Sequence, residues 1–107
     1  MDGPGQEVGI EQAREIAESG RGRLVWIGRE PSAYIAELLG VDASLVSRLD
    51  PSAIASADGA TLKSLSGAVL VCYHGVSSLR AVRFLERNGV RAHSLRGGVT
   101  SIVGEIF

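Results

Sequence analysis

The sequence contains only one cysteine, Cys72, so the chain cannot form an internal disulfide. It contains two histidines, and no group of cysteines and histidines has the spacing of metal ligands. We therefore expect neither a metal nor a cofactor. A lone thiol is also typical of proteins from a reducing compartment, which predicts a cytoplasmic protein.

Long apolar runs and a strong charge are also missing. No apolar segment is long enough to span a bilayer, and the N-terminus does not have the pattern of a signal peptide. The net charge is −1, although residues 68–107 carry five basic and two acidic side chains. This surplus is too small for the basic surface that nucleic acids need, and it fits either a small anionic ligand or scattered surface arginines. We expect no nucleic-acid partner and no membrane partner.

The 107 residues are enough for one domain, which we assign to residues 1–107, with a flexible segment over residues 1–7. Short apolar segments such as "RLVWIG" and "AVLVC" have no alternation, which is typical of strands that are covered on both faces. Amphipathic segments such as "SSLRAVRFLERNG" follow them and predict helices. This order predicts an α/β fold, in which a small parallel sheet is flanked by helices on both faces.

Cys72 lies at the end of the predicted strand "AVLVC", immediately before the loop "YHGVSS". Binding sites of parallel α/β folds form at this end of the strands. The backbone N–H groups of the loop can point inward, Gly75 relieves crowding, and Ser77 or Ser78 is predicted to cap the next helix. Such a loop would stabilise a thiolate and make it nucleophilic. The alternative is an inert cysteine at a strand end, with His74 facing solvent.

Residues 69–102, "VLVCYHGVSSLRAVRFLERNGVRAHSLRGGVTSI", resemble the C-terminal half of a rhodanese-like sulfurtransferase domain. That family combines an apolar strand, a cysteine, a loop of the type C-x-x-G-x-S-S, a helix, and a strand that ends at a Gly-Gly turn. The loop is most similar to that of single-domain thiosulfate sulfurtransferases. Earlier in the chain, "LVWIGREP" resembles the family's "L-I-D-V-R-E-P" segment, aligned on Arg29.

The N-terminal half departs from the family pattern. Ile27 stands where the family has an acidic residue, and no "G-H-I-x-G-A" segment is present. Ile102 aligns with a position that is often aromatic. These differences affect the expected substrate entrance more than the expected fold.

The resemblance implies sulfur transfer by a cysteine persulfide that forms on Cys72. It implies a donor such as thiosulfate and an acceptor such as cyanide or a thiol, with a protein as a further possible acceptor. Arg29 and Arg80 are weaker candidates for attracting an anionic donor. The alternative for Arg29 is a structural salt bridge, and the alternative for Arg80 is a solvated position on a helix. The loop residues that the resemblance assigns to the sulfur cradle are Tyr73, His74, Gly75, Val76, Ser77 and Ser78.

Three alternatives belong to other functional classes. A phosphatase of related fold needs an arginine six residues after the cysteine for bidentate contact with the phosphoryl group, and this chain has Ser78 there. A non-catalytic rhodanese-like domain could bind or regulate a partner through the loop surface. A thiol redox protein would need a second, resolving cysteine, which the chain lacks.

Overall fold

The computed structural model describes residues 7–106, with side chains described as far as residue 102. Five parallel strands form one sheet in the order β1-β5-β4-β2-β3, so β4 lies at its centre. The predicted parallel sheet is confirmed. The strands are β1 Glu7–Val8, β2 Leu24–Trp26, β3 Val46–Arg48, β4 Val69–Val71 and β5 His93–Leu95.

Helices cover both faces of the sheet, as the sequence predicts. Successive strand side chains point to opposite faces, so Leu24 and Trp26 pack with α1, α2 and α6, while Val25 packs with α3, α4 and α5. A short 3₁₀ helix at Ala43–Leu45 precedes β3. The α-helices are α1 Ile10–Glu18, α2 Ser32–Leu39, α3 Pro51–Ala55, α4 Gly59–Lys63, α5 Val76–Arg87 and α6 Gly98–Ile106. None of these helices within residues 7–106 is long and apolar enough to cross a membrane.

The N-terminal segment was expected to be flexible over residues 1–7, and residues 1–6 lie outside the described part of the chain. Glu7 begins β1 and pairs with Ser94 of β5, and the Arg96 N–H donates to the Val8 carbonyl. This strand forms because β5 offers backbone partners, which composition alone does not reveal. The flexibility of the segment stays a prediction.

The order of the strands creates a crevice at one end of the sheet. From β2 the chain moves outward to β3, whereas from β4 it moves the other way to β5. The loops that follow β2 and β4 therefore diverge at their carboxyl ends. A crevice of this kind is the usual ligand site of open parallel sheets.

His93, in β5, should make the stability of the protein depend on pH. Burial, followed by the nearby charge of Arg91, lowers the pKa of His93, and its Nδ1 has no partner among the described residues. His93 therefore binds a proton more readily in the unfolded chain than in the folded protein. The contribution of neutral His93 to stability is fully present only above its unfolded pKa of about 6.5. We expect the free energy of unfolding to fall as the pH decreases below that value. Urea titrations between pH 7.5 and pH 5.5 should show a smaller decrease for His93→Gln.

Candidate functional site

A cavity of about 580 Å³ lies in the crevice at the carboxyl ends of β2, β3 and β4. Each of the three following loops contributes to its wall, and Cys72 belongs to the loop after the central strand. The thiol of Cys72 is almost fully buried, at 3% exposure. The residues around the cavity are Ile27, Gly28, Arg29, Asp50, Pro51, Ser52, Cys72, Tyr73, His74, Val76 and Ser77.

Three polar groups of one loop contact the sulfur of Cys72. The backbone N–H of Gly75 donates to Sγ at 3.1 Å, and the N–H of Ser78 donates to it at 3.3 Å. The thiol in turn donates to the Ser78 hydroxyl at 3.3 Å. A hydroxyl can donate as well as accept, so the same three groups can all donate to an ionised sulfur. The loop is therefore already arranged to hold negative charge at this position.

Helix α5 begins earlier than the sequence predicts. Its first residue is Val76 and its N-cap is Gly75, so the prediction that Ser77 or Ser78 caps the helix is wrong. Gly75 has φ = +86°, a left-handed conformation that glycine adopts without steric cost. This sharp turn folds the start of α5 back over the sulfur. The Ser78 hydroxyl consequently contacts the thiol, while Ser77 is exposed beside the cavity.

A second hydroxyl lies behind Ser78. Ser94 of β5 is fully buried, as is Ser78, and the two hydroxyl oxygens are 2.7 Å apart. The pair can be polarised toward the sulfur, with the Ser94 hydroxyl donating to Ser78 and Ser78 donating to the thiolate. Ser94 was not predicted as a site residue. The signal available for it is a hydroxyl at the middle position of the strand "HSL", which is buried.

The N-terminus of α6 fixes the loop from its other side. The Val99 N–H donates to the Cys72 carbonyl and the Thr100 N–H to the Tyr73 carbonyl, both at 3.0 Å. Gly98 lies directly against these carbonyls, since a Cβ there would be 2.4 Å from the Cys72 oxygen. Because both carbonyls are bound by α6, they are held away from the sulfur, and the loop presents N–H groups to it.

Tyr73 forms part of the rim of the cavity and is held in place from two sides. Its ring packs edge-on against Trp26, with 5.0 Å between the ring centroids, and its hydroxyl donates to the Glu30 carboxylate. This hydrogen bond lowers the pKa of Glu30 and raises the pKa of Tyr73. The exposed Arg29 lies beside Asp50, whose pKa is lowered mainly by hydrogen bonds from Ser52 and less by nearby arginines. The mouth of the cavity therefore combines an apolar rim with a cation and an anion, which are Arg29 and Asp50.

The predicted site residues other than Arg80 fall into two groups. One group lines the cavity together with Cys72 and consists of Arg29, Tyr73, His74, Val76 and Ser77. The other group is buried and forms hydrogen bonds with the sulfur, and it consists of Gly75 and Ser78.

Arg80 does not line this cavity. It lies on the second turn of α5, roughly 6 Å along the helix axis from Val76, and it lines a neighbouring groove. The structure adds Asp50, Pro51 and Ser52, which follow β3. Asp50 is the N-cap of α3, so the start of this helix forms part of the cavity wall.

Ser94→Ala tests whether the hydroxyl pair supports the thiolate. A hydrogen bond of this kind contributes about 0.5–1.5 kcal/mol, so alkylation of Cys72 by iodoacetamide at neutral pH should slow about threefold to tenfold. Ser64→Ala, at an exposed serine that ends α4, should leave the alkylation rate unchanged. Equal rates for both variants would contradict this role of Ser94.

Solved structures of other proteins share this fold. No model of a known protein family matches the sequence, and no curated protein matches it at a significant level. The chain superposes on SSP1007 from Staphylococcus saprophyticus with a TM-score of 0.66 at 16% identity, covering 91% of this chain and 92% of that one. The TM-score is 0.65 at 17% identity for the human single-domain sulfurtransferase TSTD1, covering 94% and 96%. A rhodanese-related protein from Thermoplasma volcanium superposes with a TM-score of 0.60 at 22% identity, covering 94% of this chain and 92% of that one. The chain therefore has the rhodanese-like fold.

Proposed function

We propose that this protein is a sulfurtransferase that carries a sulfane sulfur on Cys72. The main support is the convergence of the Gly75 N–H, the Ser78 N–H and the Ser78 hydroxyl on one sulfur atom, at 3.1–3.3 Å, beside an open cavity. Such a set of donors stabilises a thiolate without a neighbouring base. The rhodanese-like fold and the similarity to a human sulfurtransferase support the same class of reaction.

The first half of the cycle loads the thiol. With thiosulfate as donor, the Cys72 thiolate attacks the outer sulfur and forms a new S–S bond. The bond between the two sulfurs of thiosulfate breaks, and its electron pair leaves with sulfite. The product is a Cys72 persulfide with its negative charge on the terminal sulfur. The backbone N–H groups of Gly75 and Ser78, which donate to Sγ, would also be close enough to help stabilise that charge.

The second half of the cycle returns the thiolate. A nucleophilic acceptor, either cyanide or a thiolate, attacks the terminal sulfur and bonds to it. The S–S bond to Cys72 breaks, and its electron pair stays on Sγ. Cyanide leaves as thiocyanate, and no external oxidant or reductant takes part. We assign Arg29, which lies on the cavity wall, to the attraction of an anionic donor.

The mass of the intact protein tests this proposal directly. After incubation with thiosulfate and removal of the excess, the mass should increase by one sulfur atom, and a reductant should remove the addition. Cyanide should also remove it and release a stoichiometric amount of thiocyanate. Blocking Cys72 with iodoacetamide beforehand should prevent the addition. A mass that thiosulfate and other sulfane-sulfur donors leave unchanged would indicate a binding domain instead.

A further inference from the structure

A second groove, of about 250 Å³, adjoins the cavity of Cys72. One wall is a face of α5, where four residues recur at the spacing of neighbouring helical turns. The opposite wall comes from α3, and Ile27 after β2 contributes between them. The residues from α5 are Ser77, Arg80, Ala81 and Phe84, and those from α3 are Pro51, Ile54 and Ala55.

The groove and the cavity share part of their walls. Ile27, Pro51 and Ser77 line both of them. Ser77 is also five residues from Cys72, in the first turn of the helix whose start surrounds the sulfur. A molecule that reacts at Cys72 can therefore extend past Ser77 into the groove without leaving the protein surface.

The groove has an apolar lining and a single cation. Apart from Ser77 and Arg80, the side chains around it are aliphatic or aromatic. Arg80 is exposed, and within the described part of the chain its guanidinium makes no ion pair or hydrogen bond. A complementary ligand has an apolar body and one anionic group. Cyanide and thiosulfate have no apolar body and would leave this surface unused.

We propose that the groove binds the sulfur acceptor, and that this acceptor is a thiol whose short aliphatic chain ends in a carboxylate. This inference rests on the proposed sulfurtransferase function. The thiol reaches Cys72, the methylenes lie between α3 and α5, and the carboxylate pairs with Arg80. Arg80 lies about 4.5 Å farther along the axis of α5 than Ser77, so a carboxylate at Arg80 requires several methylenes between it and a thiol that reaches Cys72.

Transfer of the sulfur to such an acceptor forms one S–S bond and breaks another. The thiol first loses its proton to solvent. Its thiolate then attacks the terminal sulfur of the Cys72 persulfide and forms an S–S bond with it, while the bond to Sγ breaks and leaves its electron pair on Cys72. The acceptor leaves as an alkyl persulfide, and the enzyme returns to its starting state.

A series of mercapto acids tests the proposal on persulfide-loaded protein, whose loading is first confirmed by mass. The probes are mercaptoacetate, 3-mercaptopropionate, 6-mercaptohexanoate and the uncharged 6-mercaptohexanol. Each methylene that enters the groove should raise kcat/KM, chiefly through KM, by about twofold to fourfold. The hexanoate should exceed the hexanol by about twofold to fivefold, the range expected of an exposed ion pair.

Two substitutions in the groove sharpen the test. Arg80→Gln should remove the preference for hexanoate over hexanol, while Arg83→Gln, at an exposed arginine of the same helix outside the groove, should preserve it. Ala55→Leu should fill the groove and reduce the advantage of hexanoate over mercaptoacetate. Ala33→Leu, at an exposed alanine of α2, is the matched control.

The outcomes separate this inference from the function on which it rests. Equal kcat/KM values along the series, with a persulfide that cyanide still discharges, would overturn the inference and leave the sulfurtransferase proposal intact. The groove would then serve another occupant, such as a segment of a partner protein. Failure to form the persulfide would overturn the proposed function itself, and the acceptor series would not be reached.

Discussion

Replacement of Cys72 by serine should reduce sulfur transfer from thiosulfate to cyanide by at least about a thousandfold. A serine hydroxyl needs a base before it can attack, and the contacts of Sγ within the described residues are two N–H groups and a hydroxyl, none of which takes up that proton. An oxygen nucleophile also cannot form the S–S bond that stores the sulfur. Thiocyanate release by purified Cys72→Ser, measured with the colorimetric iron assay, gives the residual rate.

The fold should survive this substitution. Serine is smaller than cysteine and its oxygen can accept the same two backbone hydrogen bonds, so the free energy of unfolding should change by only about 1 kcal/mol. Urea unfolding followed by circular dichroism provides the control. Substantial turnover by the folded variant would show that the sulfur is carried elsewhere, and the mechanism proposed for Cys72 would be wrong.

Gly98→Ala should both destabilise the protein and disturb the loop that follows Cys72. Gly98 has φ = +62°, which alanine adopts at a cost of about 1–2 kcal/mol. Its new Cβ would also lie 2.4 Å from the Cys72 oxygen and 2.5 Å from the Tyr73 oxygen. Both are backbone atoms, so α6 or the loop must move. Overpacking adds about 1–3 kcal/mol, and we expect a total loss of roughly 3 kcal/mol.

The movement should also slow the reaction of the Cys72 thiol with alkylating agents. If α6 no longer binds the carbonyls of Cys72 and Tyr73, the loop N–H groups lose their fixed orientation toward the sulfur, and alkylation at neutral pH should slow about tenfold. Gly89→Ala is the matched control, because Gly89 also has a left-handed φ of +79° but an added Cβ meets nothing within 4 Å. It should cost about 1 kcal/mol and leave alkylation unchanged. Equal losses of stability in the two variants would show that the contact with the loop is unimportant.

The sequence was sufficient to predict a parallel sheet with helices on both faces and the position of the thiol after a strand, because these depend on local patterns. It did not reveal β1 or α4, which are short. Apolar segments without alternating polar residues predict strands that are covered on both faces, and the amphipathic segment after Cys72 predicts α5. The details of the site depend on contacts between distant segments. The Ser78–Ser94 contact joins residues sixteen positions apart. The hydrogen bond between α6 and the loop joins Val99 to Cys72. Neither contact leaves a repeating pattern in the sequence from which it could be predicted.

Arg80 shows how little a resemblance in sequence says about which surface a side chain lines. The resemblance made Arg80 a candidate for attracting an anionic donor, and a solvated helix position was the alternative. In the structure Arg80 is exposed on α5 and lines the groove next to the cavity of Cys72. That groove exists because α3 lies opposite α5, and a contact between such distant segments has no pattern in the sequence.

The buried serine pair has a consequence for how this protein can change by mutation. Ser78 and Ser94 occupy positions with no exposure to solvent. Replacing both members of a buried hydrogen-bonded pair by apolar groups of similar size is often neutral or stabilising. Random mutation with selection for thermal resistance alone should therefore accumulate alanine at both positions, and the resulting variants should be stable but should transfer sulfur slowly. Persistence of both hydroxyls under such selection would mean that the fold, and not the chemistry, requires them.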